Sequence, residues 1–395
     1  MVGWALLADL VPIYPLYALL FTATGLSVAQ VSALFAIWSA TALLAEVPSG
    51  SLADRFGRRS CLVAAGVLQA AGYATWMLLP GFAGFAIGFV LWGAGGSLVS
   101  GAKEALLYDG LDAVGAAAHY ARAAGRLAAV ELVAQLPVAL AAGWLLVAGG
   151  FALVGWVSVA TCLAAAGVAA TLPEPRRAEP AEADDRTYLA TLRAGVADAA
   201  RLPGVRPVLL AAAALTGFDA AEEYFPLLLA DQGVPVALVP IASVPTVLGG
   251  MAGAALGGAA ARLPGWALAV LLAFAMALLG GAGFGGPVTA LVAVAAFYGG
   301  YQAVRVVVDA RLQERIPSAT RATVTSVAGV GTELATFGVY AAWAAGGAPL
   351  LAAAGLVVAA TLPALLRRRG VAGSSAPGIA ATRRSEERAS GDRDS

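Results

Sequence analysis

Three carboxylates stand close together inside an apolar stretch: Asp219, Glu222 and Glu223. Their spacing is i, i+3, i+4, which on an α-helix puts all three on one face. Acids that close in a low-dielectric medium cannot all be ionised at once. Such a cluster suits a site that exchanges protons or recognises a cation. The alternative is three hydrated acids near the outer mouth of a membrane protein. Asp9 is a related case, followed by Pro12 and Pro15, which open a helix and free backbone carbonyls toward a cavity. Lys103 is the single lysine of the chain, and lysine can give up its proton where arginine in practice cannot. Its neighbour Glu104 lies on a different helix face, so Glu131 or Asp9 is the expected partner. Lys103 is then either a proton-handling group or half of an interhelical ion pair. Arg305 with Glu333 forms a second candidate pair, for which a structural role is expected. All nine of these residues are candidates for handling protons or substrate.

The elements that position them follow from composition. Of 395 residues 60% are hydrophobic and only 12% charged, with a mean hydropathy of +0.82. A soluble domain carries roughly 25% charged residues, so a water-facing surface could not be built from this chain. Twelve apolar runs are marked, at 4–25, 29–49, 60–79, 82–108, 127–149, 151–172, 207–231, 234–260, 266–283, 288–310, 322–346 and 349–366. At about 20 residues per span, twelve spans use about 240 residues and leave about 155 for loops and tails. The runs lack the alternating polarity of barrel strands, so all twelve are expected to be helices, numbered here as spans 1 to 12.

Basic residues set the orientation. Nearly all fall in the even-numbered loops and after span 12: Arg55, Arg58 and Arg59 in loop 2–3, Arg122 and Arg126 in loop 4–5, six arginines in the central segment, Arg262 in loop 8–9, and Arg311, Arg315 and Arg321 in loop 10–11. The odd-numbered loops contain none. The positive-inside bias therefore predicts cytoplasmic termini. The expected domains are an N-terminal six-helix bundle (1–172), a cytoplasmic linker (173–206) with a short amphipathic helix from Thr187 to Leu202, a C-terminal six-helix bundle (207–366), and a disordered tail (367–395). The halves echo each other. Asp109 ends span 4 as Asp309 ends span 10, and the 257–265 stretch is a faded copy of loop 2–3 with Ala261 in the place of Asp54. Several ionisable residues enter each of spans 4, 7 and 10, span 1 holds Asp9, spans 2, 5 and 11 hold one each, and spans 3, 6, 9 and 12 hold none. A repeated three-helix unit gives this pattern when its first helix lines a polar centre, its second flanks it and its third faces lipid.

Other features read as structure. Cys61 and Cys162 are expected to be buried packing thiols and His119 a solvated loop residue. Gly249, Gly253 and Gly257, four apart, predict a close helix contact for span 8. No basic n-region with a cleavage site marks a removable signal peptide. No phosphate-binding loop, metal cluster or nucleophile elbow appears, so no enzyme activity and no cofactor is expected. A net charge of zero gives no reason to expect nucleic acid, and no obligate protein partner is evident.

One motif is specific. Gly50-Ser-Leu-Ala-Asp54-Arg55-Phe-Gly57-Arg58-Arg59 sits between spans 2 and 3, where it predicts a tight hairpin. It matches the loop 2–3 signature of the major facilitator superfamily at each characteristic place. The resemblance covers about residues 1–367. Glu46-x-Pro48-Ser49-Gly50, Ser100-Gly101-x-x-Glu104-Ala-Leu-Leu-Tyr108-Asp109 and Arg321-Ala-Thr323 resemble a prokaryotic branch of putative efflux proteins. The resemblance implies an all-α integral membrane fold of twelve transmembrane helices in two pseudo-symmetric halves. It also implies that Asp54, with the arginines and the facing end of span 11, latches the cytoplasmic side. An arginine typical of span 4 in many proton-coupled members is missing from Gly93 to Leu98, and the Gly/Pro motif of span 5 is represented only by Pro137. The expected function is alternating-access, proton-coupled export of a small organic compound, cationic or amphiphilic, across the plasma membrane. Uptake or facilitated diffusion of a metabolite is the alternative, and a non-transporting receptor a third reading. The partners expected are the substrate, protons and the lipid bilayer.

Overall fold

The computed structural model describes residues 1–174, 205–316 and 321–366. The expected amphipathic helix at Thr187–Leu202, the remainder of the linker and the tail lie outside the described residues, as does the side chain of Asp54. Every regular element among the described residues is helical. Seven helices are long and apolar enough to cross a bilayer. Two of them, Tyr120–Ala170 and Arg321–Leu365, contain two spans each, separated where the backbone leaves helical geometry at Gly149-Gly150 and at Gly346-Gly347. The second glycine of each pair has φ of +65° and +61°, a region other residues avoid. The same turn thus joins spans 5 and 6 and spans 11 and 12. The helix Gly265–Gly281 supplies span 9.

Spans 1 and 7 are interrupted. Span 1 is helical over Val2–Asp9 and Tyr17–Ala23, with the prolines in the break between. The freed Ile13 N–H donates to Ser158 Oγ of span 6 at 3.0 Å. Span 7 runs as Arg206–Gly217, tightens to a 3₁₀ helix over Phe218–Tyr224, and resumes as Phe225–Asp231. Next to that change, Tyr301 Oη of span 10 donates to the Leu215 carbonyl at 2.6 Å. A side chain from a neighbouring helix therefore tends each break, as broken backbone at membrane depth requires.

Packing repeats between the halves. Span 4 packs against spans 2 and 3, and span 10 against spans 8 and 9. The span 8 glycines behave as expected: Gly253 faces the Gly299 backbone and Gly257 faces Val306 of span 10. Met77 packs on Gly155 between spans 3 and 6, and Met276 packs on Gly355 between spans 9 and 12. Cys61 and Cys162 are buried thiols outside any disulfide, and His119 is exposed. Large apolar side chains such as Leu44, Trp144, Leu256 and Phe274 face outward, as a lipid-covered surface demands.

Between spans 2 and 3 the joint is a single residue, shorter than a loop: helix Val28–Phe56 ends one residue before helix Arg58–Leu78 begins. Gly57 alone makes the joint, with φ +91°.

Candidate transport site between the halves

The first helix of each half brings acids toward the centre, and the two halves treat them differently. In the N-terminal half Lys103 Nζ lies 2.9 Å from Glu131 Oε1, one of the two partners expected. Asp9 joins them in lining a cavity of ≈ 200 Å³, together with Gln69 and Tyr14. Glu104 is exposed and stands outside this group.

In the C-terminal half the 3₁₀ segment changes the geometry expected for Asp219, Glu222 and Glu223. Three residues make one 3₁₀ turn, so positions i and i+3 eclipse while i+4 turns away. Asp219 and Glu222 accordingly share a partner, and Glu223 does not. Tyr298 Oη donates to Glu222 Oε2 at 2.9 Å and lies 3.5 Å from Asp219 Oδ1. Gln302 Nε2 donates to Asp219 Oδ1 at 3.0 Å, and Arg305 Nη1 is 3.5 Å from Asp219 Oδ2. Arg305 Nε donates in turn to Gln302 Oε1 at 2.7 Å. The expected pair of Arg305 with Glu333 is therefore not formed. Arg305 and Asp219 face each other across spans 10 and 7, while Glu333 turns toward the other half and accepts from Ser39 Oγ at 2.5 Å.

Asp219 is thus neutralised by Arg305, which leaves Glu222 and Glu223 as the acids of a second cavity, of ≈ 190 Å³, between the halves. Its walls include Tyr14 and Tyr17 from span 1, Phe225 and Pro226 from span 7, and Tyr298 from span 10. Among the described residues no basic side chain lines it. Tyr14 belongs to the walls of both cavities, with its ring stacked on Trp92 at 5.3 Å between centroids.

The halves are clasped toward the end opposite the arginines, where Tyr224 Oη donates to Ser32 Oγ at 2.7 Å and Phe35 packs edge-on to Tyr224 at 5.3 Å, and again nearer mid-span, where Ser39 reaches Glu333. At the arginine-bearing end, Arg58 bonds Asp109 and the Ala105 carbonyl of span 4, and Glu174 accepts from the Arg59 N–H at 3.3 Å. Glu174 sits at the N-terminus of span 3, where the helix dipole favours a carboxylate. The repeat is imperfect here. Asp309 is exposed, and it is Arg311 of span 10 that reaches back, donating to the Leu263 carbonyl at 2.8 Å.

Sequence reasoning missed Tyr298, Gln302, Tyr14 and Thr246, because neutral polar and aromatic side chains do not stand out in apolar runs. A signal did exist for span 10. Tyr298, Tyr301, Gln302 and Arg305 fall at i, i+3, i+4 and i+7, one continuous polar face on a helix.

Comparison with known proteins agrees with this architecture. The family profile described as Major Facilitator Superfamily matches residues 2–339. The fold is similar to that of the nucleoside transporter NupG, with a TM-score of 0.72 at 12% identity, covering 93% of this chain and 98% of that one. It is also similar to a bacterial homolog of the human lysosomal transporter Spinster in an inward-facing, occupied conformation (TM-score 0.66, 15% identity, 92% and 90% covered). The xylose transporter XylE from E. coli matches with a TM-score of 0.63 at 17% identity, over 94% of this chain and 97% of that one. No curated protein sequence matches the chain. The chain belongs to the Major Facilitator Superfamily. It is a multi-pass membrane transporter with the twelve-span, two-half fold of that family.

Proposed function

We propose that this transporter moves a small organic cation across the plasma membrane by alternating access, in exchange for protons and in the direction of export. The observation that carries the reading is the cavity between the halves, where Glu222 and Glu223 stand among aromatic rings and no described basic side chain competes for them. Carboxylates offer charge to a cation, and ring faces offer the quadrupole attraction that holds an organic one. The same carboxylates can hold a proton when the cation leaves, which couples the two without a further site. Export is supported by the resemblance of the Glu46–Gly50 and Ser100–Asp109 stretches to efflux proteins.

In this reading 1–172 and 207–366 are the moving bundles, 173–206 the cytoplasmic linker and 367–395 a cytoplasmic tail. Both termini are cytoplasmic, on the side to which the arginines point. Lys103 with Glu131 and Asp9 is an ionic station inside the first bundle, and Asp219 with Arg305 braces the second. The motif Gly50, Asp54, Arg55, Gly57, Arg58 and Arg59 forms the cytoplasmic latch, with Asp109 as the partner of Arg58.

Growth of an efflux-deficient bacterial host on a panel of organic amines tests direction and site together. Expression of the wild type is expected to protect against a subset, and Glu222→Gln with Glu223→Gln to abolish that protection at equal protein level. Sensitisation by the wild type would reverse the direction to uptake. Protection that survives both substitutions would remove the cation site.

A further inference from the structure

Thr246, on span 8, lines the cavity between the halves, is only 4% exposed, and its hydroxyl has no hydrogen-bond partner among the described residues. That is unusual inside an apolar helix, where a Ser or Thr hydroxyl ordinarily donates to a carbonyl one turn back. Thr22, Thr41, Thr75, Thr161 and the neighbouring Ser243 all do so in this protein. Thr246 stands just past Ser243, the joint between helices Val239–Ala242 and Val244–Ala260, with its N–H bonded to the Ser243 carbonyl at 3.0 Å. A buried hydroxyl without a partner is unfavourable until something supplies one. The cavity that Thr246 shares with Glu222 and Glu223 is where that partner would arrive.

We propose that Thr246 selects substrates whose cationic nitrogen carries an N–H, by accepting a hydrogen bond from the ammonium group while Glu222 and Glu223 balance its charge. The proposal rests on the reading of this cavity as a cation site and narrows it to a substrate class, small primary or secondary amines in their protonated form. A primary alkylammonium has donors in three directions, enough for two carboxylates and one hydroxyl, and a secondary one has two, enough for one carboxylate and the hydroxyl. A quaternary ammonium can satisfy the carboxylates and the rings of Tyr14, Tyr17, Phe225 and Tyr298, but it leaves Thr246 unpaired. Size points the same way: ≈ 190 Å³ is below the roughly 300–1,000 Å³ of pockets that take drug-sized ligands.

The test is equilibrium binding of 2-phenylethylammonium and of its N-trimethylated counterpart to the full-length protein in lipid nanodiscs. Wild type is compared with Thr246→Val, Thr246→Ser, and the Glu222→Gln/Glu223→Gln pair. Thr246→Val is expected to weaken 2-phenylethylammonium about five- to tenfold and the trimethylated probe by less than about twofold, as loss of one hydrogen bond requires. Thr246→Ser is expected to keep the preference. Without amine, Thr246→Val should raise the unfolding temperature, because a methyl replaces an unsatisfied hydroxyl of the same shape. Equal weakening of both probes, or a preference untouched by Thr246→Val, overturns the role of Thr246. The cation reading stands in that event if the two glutamine substitutions still abolish binding. If wild type binds neither probe, or the glutamines make no difference, both readings fall together.

Discussion

At the residue scale, the account turns on three neighbouring acids having different surroundings. Asp219 has Arg305, Gln302 and Tyr298 around it, whereas Glu222 keeps only Tyr298 and Glu223 makes no hydrogen bond or ion pair among the described residues. Removing Arg305 therefore differs from removing the cavity acids. Arg305→Leu strands the Asp219 carboxylate. Both side chains are about a third exposed (31% and 32%), so solvent screening reduces the cost from that of a fully buried pair to about 1–2 kcal/mol. Thermal unfolding in detergent should show the loss, and adding Asp219→Asn to the same protein should recover most of it. No recovery would mean that Arg305 acts through another partner. These assignments were only partly legible in the chain. The acids and Lys103 announce themselves as charges in apolar runs, and Glu131 was one of two partners open to Lys103. The partner of Arg305 was not legible, because nothing in the chain marks Asp219 of span 7 as its neighbour in place of Glu333 of the adjacent span.

At the element scale, span boundaries follow from composition nearly throughout, because a bilayer leaves the backbone few alternatives to helix. The break in span 1 was also readable, from Pro12 and Pro15. Span 7 was not, since nothing in Phe218–Tyr224 forbids an α-helix and the tightening depends on tertiary partners such as Tyr301. The joint at Gly57 is the sharpest local constraint. Gly57→Ala would force a side chain into φ +91° and bring its Cβ within 2.7 Å of the Glu174 carboxylate. A cost of about 1–3 kcal/mol is expected for placing a side chain in this positive-φ region, with a further loss of the Arg59–Glu174 contact. Calorimetry of the purified variant should show a lower unfolding temperature, and Glu174→Ala in the same chain should return part of it. Between spans 8 and 10, Gly253→Val should separate the helices and reduce folded yield, since Gly253 lies directly on the Gly299 backbone; wild-type yield would argue that the two helices can part at little cost.

At the scale of the whole molecule, two bundles meet over a cavity and are clasped toward one end by Ser32 with Tyr224 and nearer mid-span by Ser39 with Glu333. Alternating access requires such a clasp to break and reform. Ser39→Ala removes one hydrogen bond worth about 1 kcal/mol, which shifts the balance between the two states roughly fivefold. Spin labels placed at the clasped ends of spans 2 and 11 should report a larger fraction of long distances in Ser39→Ala. An unchanged distribution would show that this contact does not bias the conformation. The central claim is that a cation and a proton compete for Glu222 and Glu223, and the most direct measurement is proton release on cation binding. Purified protein in weakly buffered detergent solution is mixed with 2-phenylethylammonium near neutral pH while the pH is followed. The account predicts acidification in the wild type and none in the protein carrying Glu222→Gln and Glu223→Gln. Amine binding without proton release, or release that persists in the double variant, would contradict it.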